Sequence, residues 1–363
     1  MTHKISFYSL GVVFVFLILF SFSSCTTMKK IFVKDKKAIS NYVVYPPLPD
    51  SPRLQYLTTI NNSRFLGKRS KFATFILGPE VTSFINKPYI AKVFNGKLFV
   101  CDGGNAVINI LDFNQKKWSI LAPTGGVSLS TPLSLAVDSA FNVYIGDVGK
   151  HEVLVFDSSK RFINAIKDTG DFKPTDVFIY GNELWVTNPG GHSINVYDKN
   201  NLQLKDRFGK YEQGDDGYLY APFNIFVSKD KVYVTDFGDF KIKIFDKTGK
   251  FLNSVGSYGT SLGQFVRPKG ICVDKEENLF VVDAGFENAQ IFNKDGQLLL
   301  FFGGPYKSSG DMWLPQKITV DYDNLQYFEK FVAPGYSLKY IVIVCNQYGP
   351  DKVNVYGAIE IKK

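Results

Sequence analysis

From Pro88 onward the chain repeats one order of apolar and polar positions six times. Each unit opens with a proline and an alternating stretch, then a turn, then a nearly unbroken apolar run that ends in Asp or Asn. A glycine-containing turn follows, and then a third apolar stretch that ends in an aromatic and an Asp. The second runs are KLFVCD, NVYIGD, ELWVTN, KVYVTD, NLFVVD and YIVIVCN. The third are VINILD, EVLVFD, SINVYD, KIKIFD, AQIFN and KVNVYG. The opening prolines are Pro88, Pro132, Pro174, Pro222, Pro268 and Pro315, spaced 42 to 48 residues apart. Such alternation bounded by turn residues predicts short strands, and no long window carries helical periodicity. Hairpins such as DKTGKF (246–251) and NKDGQL (293–298) join the third strand of a unit to a fourth by tight turns. Six units of about 45 residues with four strands each have the period of propeller blades. The predicted fold is all-β: a six-bladed β-propeller of four-stranded antiparallel blades.

The pattern also predicts how the ring closes. The last unit supplies three strands and ends almost at once, at YGAIEIKK, whereas RLQYLTTI (Arg53–Ile60) is a strand without a unit. Pairing the two buries both open edges and staples the termini together. Before it, NYVVYPPLPDSP (41–52) carries four prolines and reads as a stiff, extended lead-in. In the sixth unit an aromatic insertion, NLQYFEKFVAPGYSLK (324–339), lengthens the first hairpin. It is expected to cap the underside of the ring, with a docking role as the alternative.

The segment RPKGICVDKEENLFVVDAGFENAQIFNKDGQLLLFFG (Arg267–Gly303) resembles the NHL repeat over its whole length, and Lys231–Gly256 nearly as well. The resemblance to NHL-type six-bladed propellers extends over residues 53–361, and PPLPDSPRLQYL is similar to the lead-in of bacterial lipoprotein members. NHL-like propellers include metal-dependent lyases and lactonases. That resemblance implies a metal-dependent hydrolase or lyase as the alternative function, with a site of several convergent carboxylates or histidines.

The N-terminal segment has a different character. Lys4 precedes an apolar run from Leu10 to Phe22, which is the length of a signal-peptide core and short of the roughly 20 residues that span a bilayer. FSSC (Phe22–Cys25) resembles the lipobox of bacterial lipoproteins, which implies lipidation at Cys25; Phe22 departs from the usual Leu. The expected organisation is a signal peptide over 1–25, a Lys-rich then Pro-rich tether over 26–52, and the propeller over 53–363. An uncleaved signal-anchor is the rival reading. A lipid anchor with Lys29, Lys30, Lys34, Lys36 and Lys37 beside it predicts firm membrane attachment in the cell envelope. Thr26 after the cysteine implies the outer membrane, since the aspartate of inner-membrane retention is missing there.

Charge removes one class of partner. The net charge is +8, but residues 1–52 hold six lysines against Asp35 and Asp50, so the remaining +4 is spread over 311 residues. Nucleic-acid binding needs a concentrated basic face and is not expected. Four cysteines and three histidines exclude a disulfide scaffold and a histidine-built metal centre. No nucleophile elbow, phosphate loop, HExxH or CxxC pattern occurs.

The candidate chemistry therefore rests on loops. In a propeller the turns between second and third strands and the connections between blades share one face. Here the connections GKYEQGDDGYLYAP (209–222), GSYGTSLGQFVRP (256–268) and GGPYKSSGDMWLP (303–315) are long and rich in glycine and aromatics. Tyr211, Tyr218, Tyr220, Tyr258, Phe265, Tyr306 and Trp313 are the candidate contacts for a protein, peptide or glycan. The strand-end residues Asp102, Asp147, Asn188, Asp236, Asp283 and Asn346 could ligate Ca2+ or another divalent cation through oxygen. Their presence in every unit fits turn-capping better, so no cofactor is expected. Glu212 with Asp215 and Asp216 reads as a solvated acidic loop, with a cation or basic-partner contact as the alternative. His151 and His192 hold equivalent turns and lack a third metal ligand. Cys101 and Cys345 hold matching positions in neighbouring blades and read as small packing residues, with a disulfide as the alternative. The leading expectation is an envelope lipoprotein that binds a partner on its loop-rich face.

Overall fold

A computed structural model describes residues 39–67, 75, 81–121, 127–209 and 211–362. Cys25, the apolar run before it and the lysines up to Lys37 lie outside the described residues. The chain forms six antiparallel sheets arranged as the blades of one propeller. Blade 1 is β3–β6 (Pro88–Phe94, Lys97–Asp102, Val107–Asp112, Lys117–Leu121) and blade 2 is β7–β10 (Pro132–Val137, Val143–Asp147, Glu152–Phe156, Phe162–Lys167). Blade 3 is β11–β14 (Asp176–Tyr180, Glu183–Asn188, Ser193–Asp198, Leu204–Phe208) and blade 4 is β15–β18 (Pro222–Val227, Lys231–Asp236, Lys241–Asp246, Phe251–Val255). Blade 5 is β19–β22 (Pro268–Val273, Leu279–Asp283, Asn288–Phe292, Leu298–Gly303).

Blade 6 closes the ring. Its three inner strands are β23 (Pro315–Asp321), β24 (Tyr336–Asn346) and β25 (Val353–Ile361), and its outer strand is β2 (Leu54–Ile60) from the start of the chain. β2 pairs antiparallel with β25 from Leu54 opposite Ala358 to Ile60 opposite Val353. The two open edges thus satisfy one another, as the sequence pattern predicts. The short strand β1 (Val44–Tyr45) adds a fifth member outside β2.

The proline-rich lead-in is therefore not a free tether from Ile39 onward. Ile39 and Val44 pack with Ala333, Tyr336 and Ile359, and the Tyr45 hydroxyl donates to the Gly310 carbonyl at 2.9 Å. Prolines bar a central strand, but an edge strand of two residues ahead of them is allowed.

Each sheet is sandwiched between two neighbours, so the second strands are apolar on both faces. β8 and β20 are buried at every residue. The outer strands of blades 1 to 5 are mostly exposed and each buries a single residue at or next to its end; β14 buries Phe208 alone. The 324–339 insertion forms two single 3-10 turns, Leu325–Tyr327 and Glu329–Phe331, and drives Phe328 into the core beside Leu57, Ile60 and Phe113. It covers the seam between blades 6 and 1. Gln55, fully buried in β2, holds it there by donating to the Phe331 carbonyl at 2.8 Å and accepting the Ala333 N–H at 2.9 Å.

Candidate functional site

The loop-bearing face is built on a repeated cap at the end of each second strand. The Asp102 carboxylate accepts the N–H groups of Asn86 and Lys87 at 2.8 and 2.9 Å, and that of Gly104 at 3.1 Å. Asp147 does the same for Ser130, Thr131 and Gly149 at 2.7, 2.8 and 3.1 Å. Asp236 receives Tyr220 and Ala221, and Asp283 receives Val266, Arg267 and Gly285. The amides do half as much: Asn188 accepts from the Lys173 N–H, and Asn346 accepts from Trp313 and donates to the Asp351 carbonyl. These side chains tie the incoming connection to the following turn, and their oxygens are occupied by amides. Among the described residues no three His, Cys, Asp or Glu side chains converge as a metal set.

The turn that follows each cap has a second shared feature. Ala106, His151, His192, Phe240 and Glu287 all adopt left-handed backbone with φ between 48° and 58°. From that position the two histidines reach the next connection. His151 Nδ1 lies 2.8 Å from the Phe172 carbonyl, and His192 Nδ1 lies 3.0 and 2.9 Å from those of Leu219 and Tyr220. A carbonyl accepts only, so Nδ1 carries the proton in each and serves to fasten a loop.

The seven aromatic candidates divide. Phe265 is fully buried, against the expectation that it contacts a partner. Its N–H donates to Ser257 O at 2.8 Å and its carbonyl accepts the Gly259 N–H at 3.2 Å, which folds the connection back and turns the ring into the seam beside Phe292. Tyr211 is half-buried: it leans on Phe245, and its hydroxyl accepts the Phe251 N–H at 2.6 Å. Tyr218 stacks on His192 at 5.5 Å and meets Tyr220 edge-on at 4.8 Å. Beneath them Lys243, 1% exposed, is held by Asp236 at 3.0 Å, Asp239 at 2.9 Å and the Tyr218 carbonyl.

Tyr258 and Trp313 are the exposed members, at 66% and 46%. Tyr258 stands edge-on to Phe240, and Trp313 stacks with Tyr306 at 6.1 Å. Trp313 also lies against Gly349, whose φ of 78° and missing Cβ let the indole sit on the turn backbone. Leu262 and Tyr348, which the sequence reading did not single out as contacts, are exposed on the same face at 55% and 43%.

Toward the axis this face narrows to a mouth. The residue after each opening proline stands there, among them Tyr89, Phe223 and Lys269. The Lys269 amine lies 3.8 Å from the Phe223 ring centre and 4.9 Å from that of Phe237. Burial, with Arg267 nearby, pulls this amine down to about 8. Opposite, the Tyr89 hydroxyl accepts from Gln347 Nε2 at 2.9 Å.

Below the mouth the channel is barred. The second residue after each proline is Ile90, Ser134, Asp176, Asn224, Gly270 or Lys317, and three of these join across the axis. Lys317 of blade 6 reaches the Asp176 carboxylate of blade 3 and the Asn224 amide oxygen of blade 4, the latter at 2.6 Å. Asp176 also accepts the Ile225 N–H at 2.9 Å. Burial pushes its carboxyl above the ordinary range, against the pull of Lys317 and the amides. The sequence reading missed this bar. Its signal was an Asp, an Asn and a Lys at one register of the inner strands, visible once the prolines are aligned.

A cavity of about 340 Å³ lies between blades 1 and 2, lined by Lys97, Lys117, Lys160, Asp112 and Asp157. Both of its carboxylates are paired: Asp112 with Lys97 at 3.2 Å, and Asp157 with Arg161 at 2.8 Å. Lys160 braces the two blades through Ser119 Oγ and the Ile120 carbonyl. Cys101, Cys272 and Cys345 are free and buried, so the disulfide alternative for Cys101 and Cys345 is not formed.

With this geometry established, the likenesses to known proteins can be placed. The model of a family described as a 6-bladed beta-propeller (DUF5128) matches residues 207–299, which are the end of blade 3, blade 4 and most of blade 5. No curated protein matches the sequence. Among solved structures the chain is similar to a catalytically inactive virginiamycin B lyase from Staphylococcus aureus with quinupristin. That match has 13% identity and a TM-score of 0.53, covering 75% of this chain and 95% of that one. A selenomethionine-substituted virginiamycin B lyase from the same organism matches at 14% identity and a TM-score of 0.50, over 76% and 86% of the two chains. A streptogramin B lyase matches at 12% and 0.51, over 77% and 95%. At these identities the likeness is one of fold.

Proposed function

We propose that this protein is an envelope lipoprotein of NHL type, anchored through Cys25, whose propeller binds a protein partner on the loop-bearing face. The observation that carries the reading is the set of four large apolar side chains, Tyr258, Leu262, Trp313 and Tyr348, left exposed on that face. They stand on connections fixed by the strand-end caps, so they are ordered before a partner arrives and little entropy is lost on binding. Exposed aromatics grouped on a rigid scaffold are the usual anchors of protein interfaces. The exposed Leu262 favours a protein or peptide over a glycan, because an aliphatic side chain offers a sugar neither a ring face nor a hydrogen bond.

The reading requires no cofactor. The lyase alternative draws on fold likeness alone, and fold does not set chemistry. Both described histidines face backbone carbonyls of adjacent connections. The test is a triple replacement of Tyr258, Trp313 and Tyr348 by alanine. The variant should melt within about 2 °C of the parent, since surface changes of this kind move stability little. It should lose capture of the partner that the parent retains from solubilised envelopes. Undiminished capture by a folded variant refutes the assignment of this face.

A further inference from the structure

Beneath the Lys317 bar the channel opens into a cavity of about 110 Å³. Asp176 and Lys317 of the bar form its roof, and its walls include the fourth residues after the opening prolines, Lys92, Ala136, Phe178, Phe226, Cys272 and Thr319, one from each blade. Phe178 and Phe226 meet at 5.1 Å, and the Thr319 hydroxyl is spent on the Ala91 carbonyl at 3.0 Å. Lys92 is the odd member. Its amine has no hydrogen-bond or ion-pair partner among the described residues, although it faces a chamber largely walled by apolar groups.

The neighbouring charges are already engaged. Lys317 is held by Asp176 and Asn224. Asp321, on the underside end of β23, accepts the Asn324 side chain at 2.9 Å and the N–H groups of Asp323 and Asn324 at 3.0 and 2.8 Å. Burial pulls the Lys92 amine below its ordinary range, Lys317 adds to this, and Asp321 and Asp176 oppose it. Lys92 is half-buried, and an ammonium that faces apolar walls attracts an anion more strongly than one in bulk water.

We propose that this chamber binds a small carboxylate, with its oxygens on the Lys92 amine and its alkyl end against Phe178 and Phe226. Size sets the upper limit. A dry cavity of about 150 Å³ holds benzene, with six heavy atoms, so about 110 Å³ takes four or five in proportion. Acetate and propionate fit that limit, and benzoate exceeds it. The bar above the chamber separates it from the loop-face mouth, so the guest enters from the underside. The proposal therefore does not depend on partner binding at that face.

The test is titration of the purified full chain with carboxyl-13C acetate and propionate at constant ionic strength, followed by NMR. Chloride and benzoate serve as competitors. Saturable binding is expected, with little competition from either. Lys92→Met should weaken it about tenfold or more, the value of one charge-assisted hydrogen bond. Ala136→Leu, which fills the chamber and leaves the amine in place, should abolish it. Both variants are checked for folding by their melting curves. Should Lys92→Met fail to fold, Ala136→Leu and the benzoate limit decide the matter. The proposal is overturned if binding is absent in the parent, survives Ala136→Leu, or extends equally to benzoate or chloride.

Discussion

Replacing Lys317 by methionine removes the ammonium that bars the channel and keeps most of the side-chain length. Asp176, 1% exposed, then retains only the N–H groups of Ile225 at 2.9 Å and Val177 at 3.1 Å, and Asn224 loses its donor. Removing one partner of a buried ion pair costs about 3–5 kcal/mol, because the other charge is left uncompensated. Domains of 150–250 residues lose about 2–4 °C of Tm per kcal/mol, and a larger ring sits at the low end. A fall of roughly 6–10 °C at neutral pH follows. The pH dependence has a fixed sign. Burial already raises the Asp176 carboxyl, and without Lys317 it rises further. A carboxyl raised in the folded state lends stability that is full below its unfolded value and lost as pH rises through the folded one. The gap between variant and parent should therefore narrow on acidification toward about pH 4. Replacing Asp176 by leucine in the same chain removes the stranded charge and should recover most of the loss. Thermal melts of parent, single and double variants across pH provide the assay. A Lys317→Met melt within about 1 °C of the parent at neutral pH, or a gap that widens on acidification, would refute the reasoning.

Other consequences can be measured on the same protein. Gln55→Ala removes both ties to the 324–339 insertion and leaves the half-buried Phe331 carbonyl and the buried Ala333 N–H without their partner, a cost of about 1–3 kcal/mol by urea unfolding. Lys243→Met strands Asp236 and Asp239 beneath Tyr218, so limited proteolysis should cut the 211–221 connection faster than in the parent. Deleting residues 53–60 removes β2 and exposes the whole edge of β25, so the truncated chain should lose its cooperative melt. Burial holds the thiols of Cys101, Cys272 and Cys345 above their ordinary range. A thiol reagent should leave all three unmodified until denaturant is added, whereas labelling in the native state would contradict their placement.

The sequence made the ring legible because two signals coincided. The second strands are covered by blades on both sides and read as unbroken apolar runs, and the opening prolines set the period. The closing strand was legible from a count: one strand too few at the end and one too many at the start. The outer strands were fainter, because Leu204–Phe208 buries a single residue. The candidate site was legible in part. The pattern located the connections, but Phe265 and Tyr258 look alike in the sequence. Which of them faces solvent depends on the backbone pair Ser257–Phe265, a contact within one loop that leaves no periodic trace. Asp176, Asn224 and Lys317 escaped notice because their partnership spans up to half the ring. Each looked like a polar residue at the edge of a strand. Ile39 and Val44 were hidden by the prolines that follow them.

The central claim concerns which face meets the partner, and site-specific photo-crosslinking in intact cells addresses it directly. A photoreactive residue is placed in turn at Tyr258 and Trp313 on the loop face, and at Phe162 and Leu204 on the outer strands, all exposed positions. The account predicts one discrete adduct from both loop-face positions and none from the outer strands. Adducts of equal yield from Phe162 and Leu204, or adducts from those positions alone, would contradict it.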